Sequence, residues 1–174
     1  MSSGHEEHRR HSPRSVRVAI LTISDTRTST TDASGATLKG LLEGAGHSIS
    51  HVAIVPDEPE RVREWVRARL AEPGCDGVIT TGGTGIAPRD STLEALASMV
   101  EKPLPGFGEL FRTLSYQEIG SAAMLSRALG GVASGRFLFC LPGSPQAVTL
   151  ALEKLILPEL PHLLAEMRKK EQPR

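Results

Sequence analysis

Two aspartates and a cluster of glycines are the residues best suited to chemistry. Asp57 lies in "VPDE" and Asp90 in "APRDST"; between them "TTGGTG" sets Gly82, Gly83 and Gly85 around Thr84. Glycine reaches positive φ and leaves no side chain over the backbone, so successive N–H groups can turn inward around an anion. Phosphate is the natural guest. Carboxylates next to a phosphate repel it unless a cation lies between them. Mg2+ is the usual cation, held by one or two carboxylates together with phosphate oxygens. The stretch contains neither GxxxxGK[ST] nor GxGxxG, so it is not a Walker loop or a dinucleotide fingerprint. Taken alone it fits a tight structural turn as well as a ligand loop. The aspartates also have local readings. Asp57 with Glu60, and Ser91 with Glu94, stand at capping-box spacing, and Asp90 can cap the next helix or pair with Arg89.

Two further loops offer polar groups. "SDTRT" supplies Ser24, Asp25 and Thr26, either as a solvated turn or as ligand contacts. "LPGSP" contains Pro142, Gly143, Ser144 and Pro145. Ser144 before Pro145 is a helix start, and the same turn exposes backbone groups that suit a nucleobase or a pterin. Ser121 and Ser126 fit packing or helix-surface roles, and Arg127 has the reach either to meet an anion or to form a surface salt bridge.

The elements that position these loops alternate. "VRVAILTI", "HVAIV", "DGVIT" and "RFLFCL" read as strands rich in β-branched and large apolar residues. Between them, apolar residues recur at helical spacing: Leu38, Leu41 and Leu42; Val62, Trp65, Val66 and Leu70; Leu93, Leu96 and Val100. The stretch 101–131 is expected to form two helices or broken helices. Two more helices are expected at the end, around Ala147–Ile156 and around Leu160–Met167. Such alternation predicts an α/β fold with a mostly parallel sheet and helices on both faces, its crossovers right-handed. Ligands in such sheets bind at the carboxyl ends of the strands. "SDTRT", "PDE", "TGGTGIAPRDS" and "PGSP" each follow a strand, so all four unusual loops fall on one edge. "EGAGHS" and "AEPGCD", on the other edge, read as ordinary turns.

Bulk properties narrow the function classes. The 174 residues suit one domain, and Lys plus Arg equals Asp plus Glu at 20 each, which disfavours a nucleic-acid binder with a broad basic face. A single Trp and a single Tyr disfavour a base-stacking single-strand binder. Cys75 and Cys140 form no CxxC pair and read as reduced thiols. No apolar run approaches a membrane span, and the N-terminus lacks the apolar core of a signal peptide, so a cytoplasmic location is expected. Residues 1–15 read as a disordered tail, 16–168 as one domain and 169–174 as a short C-terminal tail. The spacing of His5, His8 and His11 reads as incidental.

Taken together, "SDTRT…D.SG", "VPDE", "TTGGTGIAPRDST.EA", "GSAAMLSRA.GG" and "LPGSPQAV" resemble the MoaB/Mog family of molybdenum-cofactor biosynthesis, across roughly Val16 to Leu164. The segment "GFGELFRTLSYQEIGSAA" is nearer the MoaB branch. The resemblance implies a three-layer α/β domain that binds molybdopterin, assembled as a homotrimer or homohexamer. It implies transfer of an adenylyl group from ATP to the terminal phosphate of molybdopterin, with Mg2+ as cofactor. Asp57 and Asp90 match the family's functional aspartates and would hold the metal. Gly82, Gly83, Thr84 and Gly85, with Ser24, Asp25, Ser121, Ser126 and Arg127, are the expected substrate and phosphate contacts. Pro142, Gly143, Ser144 and Pro145 are the expected nucleotide contacts. The alternative within the same pathway is a non-catalytic molybdopterin carrier, and a molybdate-insertion protein is an implied partner. Phe107, Leu110, Phe111 and Tyr116 are candidate subunit contacts and, equally, candidate core residues.

Overall fold

The computed structural model describes residues 15–88 and 90–169. Arg89, residues 170–174 and nearly all of the expected N-terminal tail, with His5, His8 and His11, lie outside the described residues.

Six strands form one sheet. In chain order the elements are β1 (Arg17–Ile23), α1 (Ala33–Gly44), β2 (Ser48–Val55), α2 (Pro59–Ala71), β3 (Gly77–Gly82), α3 (Thr92–Ala97), β4 (Lys102–Pro103) and α4 (Pro105–Ile119). A 3-10 turn (Gly120–Leu125) follows, then β5 (Leu129–Ala133), β6 (Arg136–Leu141) and α5 (Pro145–Ala151). A π turn (Leu152–Ile156) joins α5 to α6 (Leu157–Met167). The sheet order is β2-β1-β3-β6-β5-β4, with β2, β1, β3 and β6 mutually parallel and β5 antiparallel to both neighbours.

Alternation along the strands builds two cores. In β1, Val18 and Ile20 pack with Leu38, Leu42, Phe111 and Val148 on one face. Ala19, Leu21 and Ile23 pack with Val62, Val66, Leu70 and Leu96 on the other. All are buried, so the molecule has three layers, with α1, α4, α5 and α6 on one side and α2 and α3 on the other. Cys75 and Cys140 are free and buried. Burial pushes the Cys140 thiol up to about 12, which keeps it protonated.

Three expectations are corrected. The stretch 101–131 contains α4 and the 3-10 turn, but also β4 and most of β5. β5 joins β6 through Ser134 and Gly135, whose φ of 50° and 70° are the positive pair of a two-residue hairpin. The last two helices run together through the π turn. Pro158 and Pro161 have no N–H for the carbonyls four residues back, and the wider turn sits where the first of those bonds is missing. Finally, neither expected capping box forms: α2 is capped at Glu58 and α3 at Ser91, each without a side-chain cap bond.

Candidate functional site

The strand register brings the four loops together. Ile23 pairs with Val55 on one side and Gly82 on the other, and Thr81 pairs with Leu141. The tips of β2, β1, β3 and β6 therefore end at one level.

The first loop is built by its own hydroxyls. Ser24 Oγ accepts from the amides of Thr26 and Arg27 at 3.3 and 3.2 Å, which folds the chain back at once. Asp25 Oδ1 accepts the Asp57 amide at 2.9 Å and so ties the β1 tip to the β2 tip. Asp57 in turn accepts the Thr92 hydroxyl at 2.5 Å through Oδ1. This places the Asp57 carboxylate against the start of α3, two residues beyond Asp90. Asp25, Asp57 and the Asp90–Thr92 segment thus form one chain of contacts across the tips of three strands.

The glycine loop lies beside them. Gly82 and Gly83 have φ of 93° and 66°. A Cβ on Gly82 would stand 2.2 Å from the Ile23 carbonyl oxygen, so only glycine lets β3 turn this close to β1. Asp90 closes the loop from its far side, accepting the Ala87 amide at 2.8 Å through Oδ2. Arg127 reaches in from beyond the 3-10 turn. Its Nε donates to the Thr84 carbonyl at 3.0 Å and its Nη2 to the Gly85 carbonyl at 2.5 Å, while Nη1 pairs with Glu94. The guanidinium beside Glu94 holds that carboxyl below its usual range.

The fourth loop docks onto the first and third. Thr81 Oγ1 donates to the Pro142 carbonyl at 2.9 Å, and a Cβ on Gly143 would lie 3.4 Å from Gly82 Cα. Ser144 caps α5 by accepting the Ala147 amide at 3.1 Å, with Pro145 in the first turn as the sequence reading has it.

Ser121 is placed elsewhere: it is exposed and lines a separate hollow with Arg112, Tyr116 and Met124. Ser126 ends the 3-10 turn, its amide donating to the Ala123 carbonyl at 3.0 Å.

One part of the site escaped the sequence reading. Arg27 Nη2 donates to the Gly143 carbonyl at 2.6 Å, and its Nη1 bonds Ser34 and lies 3.6 Å from Asp32. Asp32 is buried and caps α1 through the Gly35 amide at 2.9 Å; it also accepts the Thr22 hydroxyl at 2.6 Å. Arg27 therefore fastens the loop after β6 to the loop after β1. The only signal in the sequence was an Asp three residues before Gly35, in a polar loop whose residues at this position carry no distinctive spacing.

Among the described residues no three His, Cys, Asp or Glu side chains gather as a self-sufficient metal cage. The Asp57 and Asp90 carboxylates, the donor type a hard cation takes, each accept a hydrogen bond here, from Thr92 and from the Ala87 amide.

Residues 19–162 match the family described as "Probable molybdopterin binding domain". A relative named molybdenum cofactor biosynthesis protein B, from Halalkalibacterium halodurans, is 48% identical over 165 residues, which span 94% of this chain and 97% of that one. A crystal structure of a molybdenum cofactor biosynthesis protein B superposes with a TM-score of 0.89 at 49% identity, over 92% of this chain and 100% of that one. The tungsten cofactor synthesizing protein MoaB from Pyrococcus furiosus superposes with a TM-score of 0.79 at 35% identity, over 90% and 99% of the two chains. The chain belongs to the MoaB/Mog family of molybdenum-cofactor biosynthesis proteins.

Proposed function

We propose that the protein transfers the adenylyl group of ATP to the terminal phosphate of molybdopterin, in the cytoplasm. An oxygen of that phosphate attacks the α-phosphorus and forms the new P–O bond. The bond from the α-phosphorus to the bridging oxygen breaks, and its electron pair leaves on pyrophosphate. A phosphate monoester is already largely dianionic at neutral pH, so no side chain has to remove a proton. What the site must supply is alignment and charge neutralisation.

The observation that carries this proposal is the contact chain from Asp25 through Asp57 to Thr92, beside a glycine loop whose carbonyls are turned toward Arg127. It sets oxygen donors next to a loop suited to phosphate. Asp57 and Asp90 would hold Mg2+, which when bound would neutralise charge on the triphosphate. The glycine loop would hold a phosphate group, and the Pro142–Pro145 turn would meet the nucleotide.

The test is pyrophosphate release with ATP, molybdopterin and Mg2+ all present. Adenylylated molybdopterin is expected, with no pyrophosphate when either substrate is omitted. Asp90→Asn is expected to lower the rate by roughly a hundredfold or more. A protein that binds molybdopterin yet shows no ATP affinity and no product would instead be a carrier.

We also propose a homotrimer or homohexamer. The four candidate contact residues divide: Phe107 and Phe111 are buried in the core, whereas Leu110 and Tyr116 are 55% and 63% exposed. Leu110 also lines an apolar hollow of about 520 Å3 with Leu104, Leu155 and Leu163, which suits a subunit contact. Light scattering that gives a monomer mass at micromolar concentration would exclude it.

A further inference from the structure

The glycine loop is gripped from one side by a single guanidinium. Arg127 uses the Nε–Nη2 edge, the planar fork of the side chain, to hold the carbonyls of Thr84 and Gly85. In a trans peptide the carbonyl of one residue and the amide of the next lie in one plane and point in opposite directions. No described peptide bond is cis. Two successive carbonyls drawn toward Arg127 therefore turn two successive amides, those of Gly85 and Ile86, the other way. Among the described residues neither amide meets an internal acceptor.

We infer that Arg127 is a positioning residue: by holding the Thr84 and Gly85 carbonyls it presents the Gly85 and Ile86 amides as an anion-binding pair, and it does not itself bind the phosphate. This rests on the phosphate-binding part of the proposed function and not on adenylyl transfer. Two facts set it against direct binding. Three of the five guanidinium N–H donors, including the Nε–Nη2 fork suited to a phosphate, are already committed to Thr84, Gly85 and Glu94. Its charge is also offset by Glu94, which it already pairs with. The pairing has a second effect: it links the glycine loop to α3, the helix whose Thr92 touches Asp57, so the cradle and the carboxylate are held on one support.

Pyrophosphate is the probe, titrated into the full chain. Arg127→Ala is expected to weaken its binding roughly tenfold to hundredfold, the usual cost of losing a group that orients a binding element. Arg127→Lys should recover little, because an ammonium cannot span the two carbonyls in one plane. Glu94→Gln separates the two roles by sign. It weakens binding if Arg127 needs its anchor to hold the loop, and tightens binding if Arg127 meets the anion and has lost a neutralising neighbour. In the wild type, the 15N–1H resonances of Gly85 and Ile86 should shift most on addition of pyrophosphate, a readout that does not depend on any variant folding. Tighter binding by Glu94→Gln, unchanged affinity in Arg127→Ala, or silent Gly85 and Ile86 resonances would each overturn the assignment. A wild type that shifts those amides but makes no adenylylated molybdopterin would overturn adenylyl transfer and leave the role of Arg127 standing.

Discussion

The two edges of the sheet use similar residues to opposite ends. At the amino edge, Asp76 accepts the Arg17 amide at 2.8 Å and Arg168 Nη2 at 2.5 Å. Arg136 donates to the Leu70 carbonyl at 2.9 Å and also to that of Cys75. His47 takes the Val16 amide. These bonds tie the start of β1, the end of α2 and the end of α6 to one another. At the carboxyl edge, Arg27 and Arg127 likewise bond carbonyls, but the carbonyls belong to loops. Their effect is to hold the loops in shape, with Asp57 and the glycine turn at the strand tips. A cluster of charge does not make a site. The distinction lies in whether its polar groups close on the chain's own termini and helix ends or hold loops whose amides remain available.

The largest effect expected from this contrast is at Asp57. Asp57→Asn retains an oxygen that can accept the Thr92 hydroxyl, so the fold should change by less than about 1 kcal/mol. The charge is lost, and with it the proposed cation ligand. Turnover is expected to fall by roughly a hundredfold to a thousandfold. Steady-state pyrophosphate release and urea denaturation on the same preparation separate the two quantities. A variant that loses stability and rate together would place Asp57 among the structural groups, as at the other edge.

Asp76→Ala is the reverse experiment. Asp76 is nearly buried and holds two donors, one of them on the exposed side chain of Arg168. Its removal leaves the Arg17 amide without that acceptor and should destabilise the protein by about 2 kcal/mol. The rate per folded molecule should stay as it was, since among the described residues the partners of the Asp76 carboxylate are Arg17 and Arg168, away from the strand-tip loops. A fall in rate at unchanged folded fraction would mean that the edges communicate.

What the sequence showed, and what it concealed, divides along physical lines. β1, β2, β3 and β6 were legible because their apolar runs make them strands before any partner is considered. The loops were legible because four unusual ones share an edge only if the sheet is parallel. β5 was concealed because "LGGVA" has weak strand propensity of its own. Its glycines are dictated by neighbours: a Cβ on Gly130 would stand 2.7 Å from the Phe139 ring, and one on Gly131 would stand 2.4 Å from Val100. The roles of Arg27 and Arg127 were concealed for a related reason. Their partners are carbonyl oxygens 116 and 42 or 43 residues away, and carbonyls leave no mark on a sequence.

The smallest effect belongs to His47, and its sign follows from burial. The ring is 7% exposed, and Nδ1 accepts the Val16 amide at 3.3 Å, which requires that nitrogen to carry no proton. Burial holds its pKa below the usual 6.5. The folded state therefore favours the neutral ring, and the unfolded chain binds the proton more readily. The stabilisation from His47 is complete above about pH 6.5 and is lost as pH falls through the lower folded value. The bond itself is worth about 1 kcal/mol. His47→Gln removes the titration while leaving an oxygen able to accept the amide. Urea midpoints at pH 8 and pH 5 should differ less in this variant than in the wild type, with pyrophosphate affinity at pH 8 the same in both. An equal midpoint difference in the two proteins would show that the acid sensitivity of the fold arises elsewhere. A changed affinity would show that the amino edge reaches the site.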